Sequence, residues 1–271
     1  MGQCVTHCVI NLIQAEGLAI IIQMKILLSN DDGSLALGLA SLRQGLQGHA
    51  ETLTVAPNRD CSGASNSLTL AYPLHLTDHD DNLYSVDGTP TDCVHLALTG
   101  LYESLPDLVI AGINAGANLG DDVIYSGTVA AATEGRNLGL PAIAVSCCGT
   151  GDYHFETAVQ AVLTLLKKLP NLNIAADTIL NINVPNVPWS EVKGFQVTRL
   201  GKRHQSEPVV KTKDPRNRDI YWIGPVGELL DAGEGTDFYA IENNYISVTP
   251  LHIDLTHYQS MKLTEQWLKE L

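Results

Sequence analysis

The chain is short of positive charge: 16 Lys and Arg stand against 30 Asp and Glu in 271 residues, a formal net charge of -14. Binding a nucleic-acid polymer needs a basic surface, so no such partner is expected. No apolar run approaches the roughly 18 residues of a membrane span, and a membrane is not expected as partner. The first 23 residues contain no Lys or Arg, and so lack the charged start of a secretory signal. They do carry Gly2 and Thr6 at the spacing of the loose myristoylation pattern, but read more simply as an extension of the fold that begins at Met24. The six cysteines contain no CxxC pair, and Cys147 and Cys148 are adjacent, which fits a reducing, cytoplasmic setting better than a disulfide framework. Two phosphate signatures are also missing. There is no GxxxxGK[ST], and Gly112, Gly116 and Gly120 stand four apart rather than as GxGxxG.

What is present is a series of short apolar runs ending in polar loops. Lys25-Ile26-Leu27-Leu28-Ser29 stops on Asn30-Asp31-Asp32-Gly33. Leu35, Leu39, Leu42 and Leu46 then recur at helical spacing, and Thr52 to Ala56 reads as a second strand. This order predicts a βαβ unit with parallel strands. A helix opens at Thr89-Pro90-Thr91, with Val94, Leu96, Leu98 and Leu101 as its apolar face. Strands are expected over 106–111, 142–146 and 178–185, with a glycine-rich loop from Gly112 and helices from Ser126 and over 153–168. From residue 194 the texture changes to short strand-like pieces around a basic stretch, Lys211 to Arg218, as in a projecting hairpin arm; a terminal helix spans 260–270. The expected division is thus 1–23 as extension, 24–193 as catalytic core and 194–271 as arm with closing strand and helix.

Ligands of open α/β sheets bind beyond the carboxyl ends of the strands. Asp31 and Asp32 would bring two repelling charges there, which calls for a cation. With oxygen donors only, one hard divalent ion such as magnesium or manganese is the candidate. Ser62 and Asn114 could complete its shell. The helix start at Ser126-Gly127-Thr128 offers free N–H groups, hydroxyls and a positive dipole end, all suited to phosphate. Each motif alone is more often a turn or a cap. Their convergence on one sheet edge points to phosphoester hydrolysis by metal-activated water.

Several long motifs, in order, resemble the SurE family of stationary-phase survival proteins. They are Met24 to Gly33, Ser62-Gly63-Ala64-Ser65-Asn66-Ser67-Leu68-Thr69-Leu70, Gly88-Thr89-Pro90-Thr91-Asp92-Cys93-Val94, Gly112 through Thr128, and Tyr245 to Leu251. The resemblance implies an α/β protein with a Rossmann-like three-layer core and mostly parallel sheet, plus a C-terminal β-hairpin arm and terminal helix that build homodimers or homotetramers. It implies a metal-dependent 5'/3'-nucleotidase acting on nucleoside monophosphates, some members also trimming polyphosphate. Matched by motif, Asp31, Asp32, Ser62 and Asn114 would ligate the metal, Asp31 and Asp32 serving catalysis. Asn118, Ser126, Gly127 and Thr128 would contact the substrate phosphate, and Asn118 is indicated by the resemblance alone. The chain departs from the family at Ser34-Leu35-Ala36-Leu37-Gly38, where Val-His-Ala-Pro-Gly is usual, and at Asn58 and Cys61. A phosphatase for other small phosphoesters or polyphosphate, or a nucleotide-binding module without turnover, are the alternatives.

Overall fold

The computed structural model describes residues 24–169, 177–203, 208–224 and 227–269; the expected extension 1–23 lies outside them. Its centre is a sheet of nine strands in the order β3-β4-β2-β1-β5-β6-β7-β13-β8. Six of these run parallel: β1 (Lys25–Ser29), β2 (Glu51–Pro57), β4 (Leu83–Val86), β5 (Leu108–Ala115), β6 (Ala142–Cys148) and β7 (Thr178–Pro185). The short β3 (Leu76–Asp78) is antiparallel to β4 at one end, and β13 (Ile246–His252) is antiparallel to β7 at the other. β8 (Phe195–Val197) closes the sheet alongside β13. This is the mostly parallel α/β architecture that the strand-helix alternation predicts.

Both faces are covered, which is why the strands read as continuous apolar runs. Side chains alternate along each strand. Ile26, Leu28, Leu108 and Ile110 join one core with residues of α1 (Leu37–Leu46) and α4 (Phe155–Leu166). Leu27, Val109, Ala111 and Ala144 join the other core with α2 (Pro90–Leu96) and α3 (Gly127–Asn137). From β1 the chain builds outward through β2 to β4, then crosses back to β5 on the other side. The order reverses between β1 and β5, and the crevice above their carboxyl ends is where such folds bind ligands.

Three local expectations are corrected. α1 starts at Leu37 because Ala36 is extended, so Leu35 lies before the helix and is 81% exposed rather than part of its apolar face. α2 buries Cys93 and Val94 and gives way to a π turn over Ala97–Leu101 that buries Ala97 and Leu98, while Leu96 and Leu101 are half-buried and pack against the same core. β5 continues through Gly112 to Ala115, where a loop is expected, with its pairing to β6 shifted in register between Ala111 and Asn114. Gly112 has φ +133°, and a side chain there would meet Val145 O at 2.3 Å. The glycine lets a neighbouring strand come close, not a turn.

Beyond β8 lie β9 (Lys202–Arg203), which pairs with β12 (Leu229–Asp231), and the hairpin of β10 (Val210–Lys213) and β11 (Asp219–Trp222). Lys211 and Lys213 both pair with Asp219 across that hairpin. α5 (Asp237–Glu242) is capped by Thr236. The last helix, α6 (Tyr258–Leu268), buries none of its residues and leaves Met261, Leu263 and Trp267 exposed, as Trp222 is on β11.

Gly38 shows how tightly α1 sits on β5: an added Cβ would lie 2.0 Å from Ile113 O and 3.0 Å from Phe155 Cε1. Backbone cannot yield cheaply, so Gly38→Ala is expected to cost about 2 kcal/mol or more, lowering Tm by several degrees. At Gly100 the only close atom is Leu96 Cδ1, at 3.5 Å, so Gly100→Ala should stay within about 0.5 kcal/mol. Thermal unfolding of the two variants checks the contrast, and equal Tm values would contradict it.

Candidate active site

The turn after β1 is built for two carboxylates. Gly33, at φ +104°, reverses the chain, the Asn30 carboxamide donates to Gly33 O at 2.9 Å, and Ser34 N–H donates to Pro57 O at 2.7 Å. With the backbone fixed, adjacent side chains diverge. Asp31 turns into the protein, where it accepts from the Thr128 hydroxyl. Asp32 turns across β5, where Oδ2 accepts from Ala115 N–H at 2.8 Å. Gly127 makes the first contact possible: a Cβ there would stand 2.7 Å from Asp31 Cβ and 2.8 Å from its Oδ2.

Burial pushes the Asp31 carboxyl up to about 6; the charge of Asp32 adds to this, and the Thr128 bond opposes it. Burial also raises Asp32, opposed by the Ala115 N–H and assisted by the charge of Asp60. Among the described residues no Lys or Arg pairs with either carboxylate. The two carboxylates are therefore met by hydrogen-bond donors and the start of α3 rather than by a cationic side chain.

Two neutral oxygens border it. The loop after β2 is tied to the turn by Cys61 N–H donating to Asp31 O at 2.8 Å. One residue on, Ser62 directs its hydroxyl proton to Asp60 Oδ1 at 2.6 Å, leaving oxygen lone pairs free. Asn114, near the end of β5, spends its amide proton on Gly116 O at 3.0 Å, which leaves Oδ1 as an acceptor. Carboxylate and neutral oxygens are the donor types that a hard cation takes. Among the described residues there is no group of three or more His, Cys, Asp or Glu that could hold a metal. His75 and His79 flank the exposed β3 and are bonded to Asp87 and Ser85.

The start of α3 refines the expected anion cradle. Ser126 is its N-cap, its hydroxyl accepting from Val129 N–H at 3.0 Å while its carbonyl accepts from Ala130 N–H. The Thr128 hydroxyl is engaged by Asp31. At the positive end of the helix dipole the Gly127 N–H is left for an anion, while the Thr128 backbone, like its hydroxyl, also acts on the Asp31 carboxyl. Asn118 stands further along the edge. It is buried over β6 and β7, and its Nδ2 donates to Ser146 Oγ at 2.7 Å. The structure thus gathers Asp31, Asp32, Asn114 and the Ser126–Thr128 turn around one crevice, ties the Ser62 loop to it, and sets Asn118 at its β6 side.

Sequence reasoning missed Asp60, whose Oδ1 accepts from both Ser62 N–H and Ser62 Oγ. The Asp-x-Ser spacing of an Asx turn could have revealed it. A cleft of about 300 Å³ lies elsewhere, at the opposite edge between Lys25, Glu51, Tyr84 and Tyr102. Its charges are of mixed sign and it lacks the convergent oxygen donors of the β1–β5 crevice, so geometry favours the crevice.

Doubly wound sheet and carboxylate-lined switch point together define a Rossmann-like α/β protein with an oxygen-donor site. The chain belongs to the family described as Survival protein SurE, whose family model matches residues 26–207. It is 56% identical over 248 residues to the 5'-nucleotidase SurE of Alkalilimnicola ehrlichii, covering 92% of this chain and 96% of that one. It is 58% identical over 245 residues to the 5'-nucleotidase SurE of Methylococcus capsulatus, covering 90% and 98%. The crystal structure of the SurE protein from Aquifex aeolicus superposes with a TM-score of 0.80 at 46% identity, over 90% of this chain and 99% of that one.

Asp31 yields a test of the site's electrostatics in metal-free protein. Its folded carboxyl titrates above its unfolded value, so the folded state binds the extra proton and loses stability as pH rises from about 4 to about 6. Asp31→Asn keeps an oxygen for Thr128 and removes the ionisation. In EDTA the variant should therefore melt higher than wild type at pH 8, by up to about 3 kcal/mol, and not at pH 4. An equal difference at both pH values would contradict the assignment.

Proposed function

We propose that this protein is a metal-dependent phosphomonoesterase that hydrolyses nucleoside 5'- and 3'-monophosphates to nucleoside and phosphate. The observation that carries this reading is the juxtaposition of a carboxylate pair with the N-terminal turn of α3, whose first N–H groups are not used within the helix. The names of the bacterial relatives, more than half identical over nine-tenths of the chain, support the substrate class. One magnesium or manganese ion, held by Asp31, Asp32, Ser62 and Asn114, would supply Lewis acidity and activate water when bound.

The chain's own residues do the rest. Asp31 is locked by Thr128, and Asp32 by Ala115, so neither carboxylate has to reorganise when the substrate arrives. The Gly127 N–H binds a phosphoryl oxygen, with the Asn118 carboxamide a further donor from the β6 side. These donors strengthen as charge develops, and the fixed helix end needs no rearrangement. Ser126 keeps that turn in shape by capping Val129.

Self-association as a homodimer or homotetramer is supported by the apolar side chains left exposed on β11 and α6. A cytoplasmic setting is supported by the buried free thiols of Cys93, Cys147 and Cys148. Among the described residues no helix is long and apolar enough to cross a membrane.

Phosphate release from AMP and from 3'-AMP is expected to stop with EDTA and return with magnesium or manganese. Asp31→Asn or Asp32→Asn should lower metal-dependent turnover by about 100-fold or more, with the far-UV circular dichroism unchanged. Tripolyphosphate and phosphoserine serve as comparison substrates. Silence toward both nucleotides with every metal would sink the reading.

A further inference from the structure

The loop that carries Asn118 is held by side chains that the roles above leave unused. Asn183, fully buried on β7, lies along the Asn118 residue as a neighbouring strand would. Its Oδ1 accepts from Asn118 N–H at 2.9 Å, and its Nδ2 donates to Asn118 O at 2.9 Å. Asn181, also fully buried on β7, donates to the same carbonyl at 2.9 Å. Ser146, fully buried on β6, accepts from Asn118 Nδ2 at 2.7 Å. Backbone donor, backbone acceptor and side chain of Asn118 are therefore each bound from below.

This is costly to build. Buried carboxamides lose water and must recover every bond from the protein. Here the recovery is incomplete, since Asn181 Oδ1 is buried with no partner. Apolar residues would fill the interior of β7 more cheaply, as Ile179, Ile182 and Val184 do on either side. What the polar choice achieves is to fix Asn118 itself, between the bonds that hold its neighbours, Gly116 N–H to Cys147 O at 3.0 Å and Gly120 N–H to Asp237 Oδ2 at 2.7 Å.

We propose that Asn183, with Ser146, is a positioning residue for the reaction: it sets the Asn118 carboxamide where a phosphoryl oxygen arrives. The proposal rests on the phosphate role given to Asn118 above. With one Nδ2 proton engaged by Ser146, the carboxamide plane is fixed and the second proton has one direction to point. Neither Asn183 nor Ser146 need touch substrate.

The test is a double-mutant cycle read in kcat, KM and inhibition by inorganic phosphate, with AMP as substrate and metal present. Asn183→Asp keeps the acceptor for Asn118 N–H and removes the donor to its carbonyl. Alone, it should lower kcat/KM by about 10- to 100-fold, chiefly in kcat, and weaken phosphate inhibition. In an Asn118→Ala background it should change neither, because the group being positioned is gone. Ser146→Ala, a gentler change, is measured in the same two backgrounds and should show the same coupling if Asn183→Asp fails to fold. Equal losses in both backgrounds, or a lowered Tm with unchanged kinetics, would overturn the positioning role while leaving the nucleotidase reading intact. Wild-type turnover that survives Asn118→Ala unchanged would instead overturn the role of Asn118 itself, and the positioning role with it.

Discussion

Two neighbouring carboxylates are held at the edge of a dry sheet with no cationic side chain paired to them among the described residues. Much of the local architecture follows from that. The side chains separate, one toward α3 and the other toward β5, and each is bonded by a different element. Those bonds fix direction without neutralising charge, as the raised carboxyl of Asp31 attests. No cationic side chain among the described residues answers that charge, and Ser62 and Asn114 offer oxygens beside it. Glycine at 127 is a condition of the same arrangement, since any side chain would drive α3 off Asp31.

Much of this was legible in the sequence because it obeys local rules. Apolar runs ending in Asn-Asp-Asp-Gly or in glycine mark strands and their carboxyl ends, and the Ser126 and Thr89 caps announce their helices. The parallel pairing of β1 with β2 follows from the βαβ alternation, whereas the order that puts β5 on the other side of β1 is set by long-range packing. Asn118 was indicated by resemblance alone, for a physical reason: its setting is made by β6 and β7, more than 25 residues downstream, and no local pattern records such a contact. The continuation of β5 through Gly112 was misread for the same reason, because the close neighbour that requires glycine there is Val145. Leu35 fitted a helical period and still fell outside the helix, since an extended Ala36 delays the start.

Rigidity is distributed unevenly. Gly120 N–H and Gly201 N–H both bond the buried Asp237 carboxylate, at 2.7 and 2.8 Å, so the segment between Asn118 and α3 is fastened to the C-terminal part of the chain. Arg203 adds an ion pair to Asp122 at 2.9 Å and lies over the Phe238 ring. The crevice is therefore framed by the parallel core on one side and by α5 and β9 on the other.

The aromatic chemistry of the arm has a practical consequence. The chain has three tryptophans, Trp189, Trp222 and Trp267, and all lie beyond β7 with at least 39% of their surface exposed. Their intrinsic emission will report solvent, quenchers and neighbouring molecules at the C-terminal third, and very little of the carboxylate crevice. A blue shift with rising protein concentration would register the arm becoming covered, while ligand entering the crevice would be optically silent. The tryptophans thus report on the C-terminal third of the chain rather than on the carboxylates.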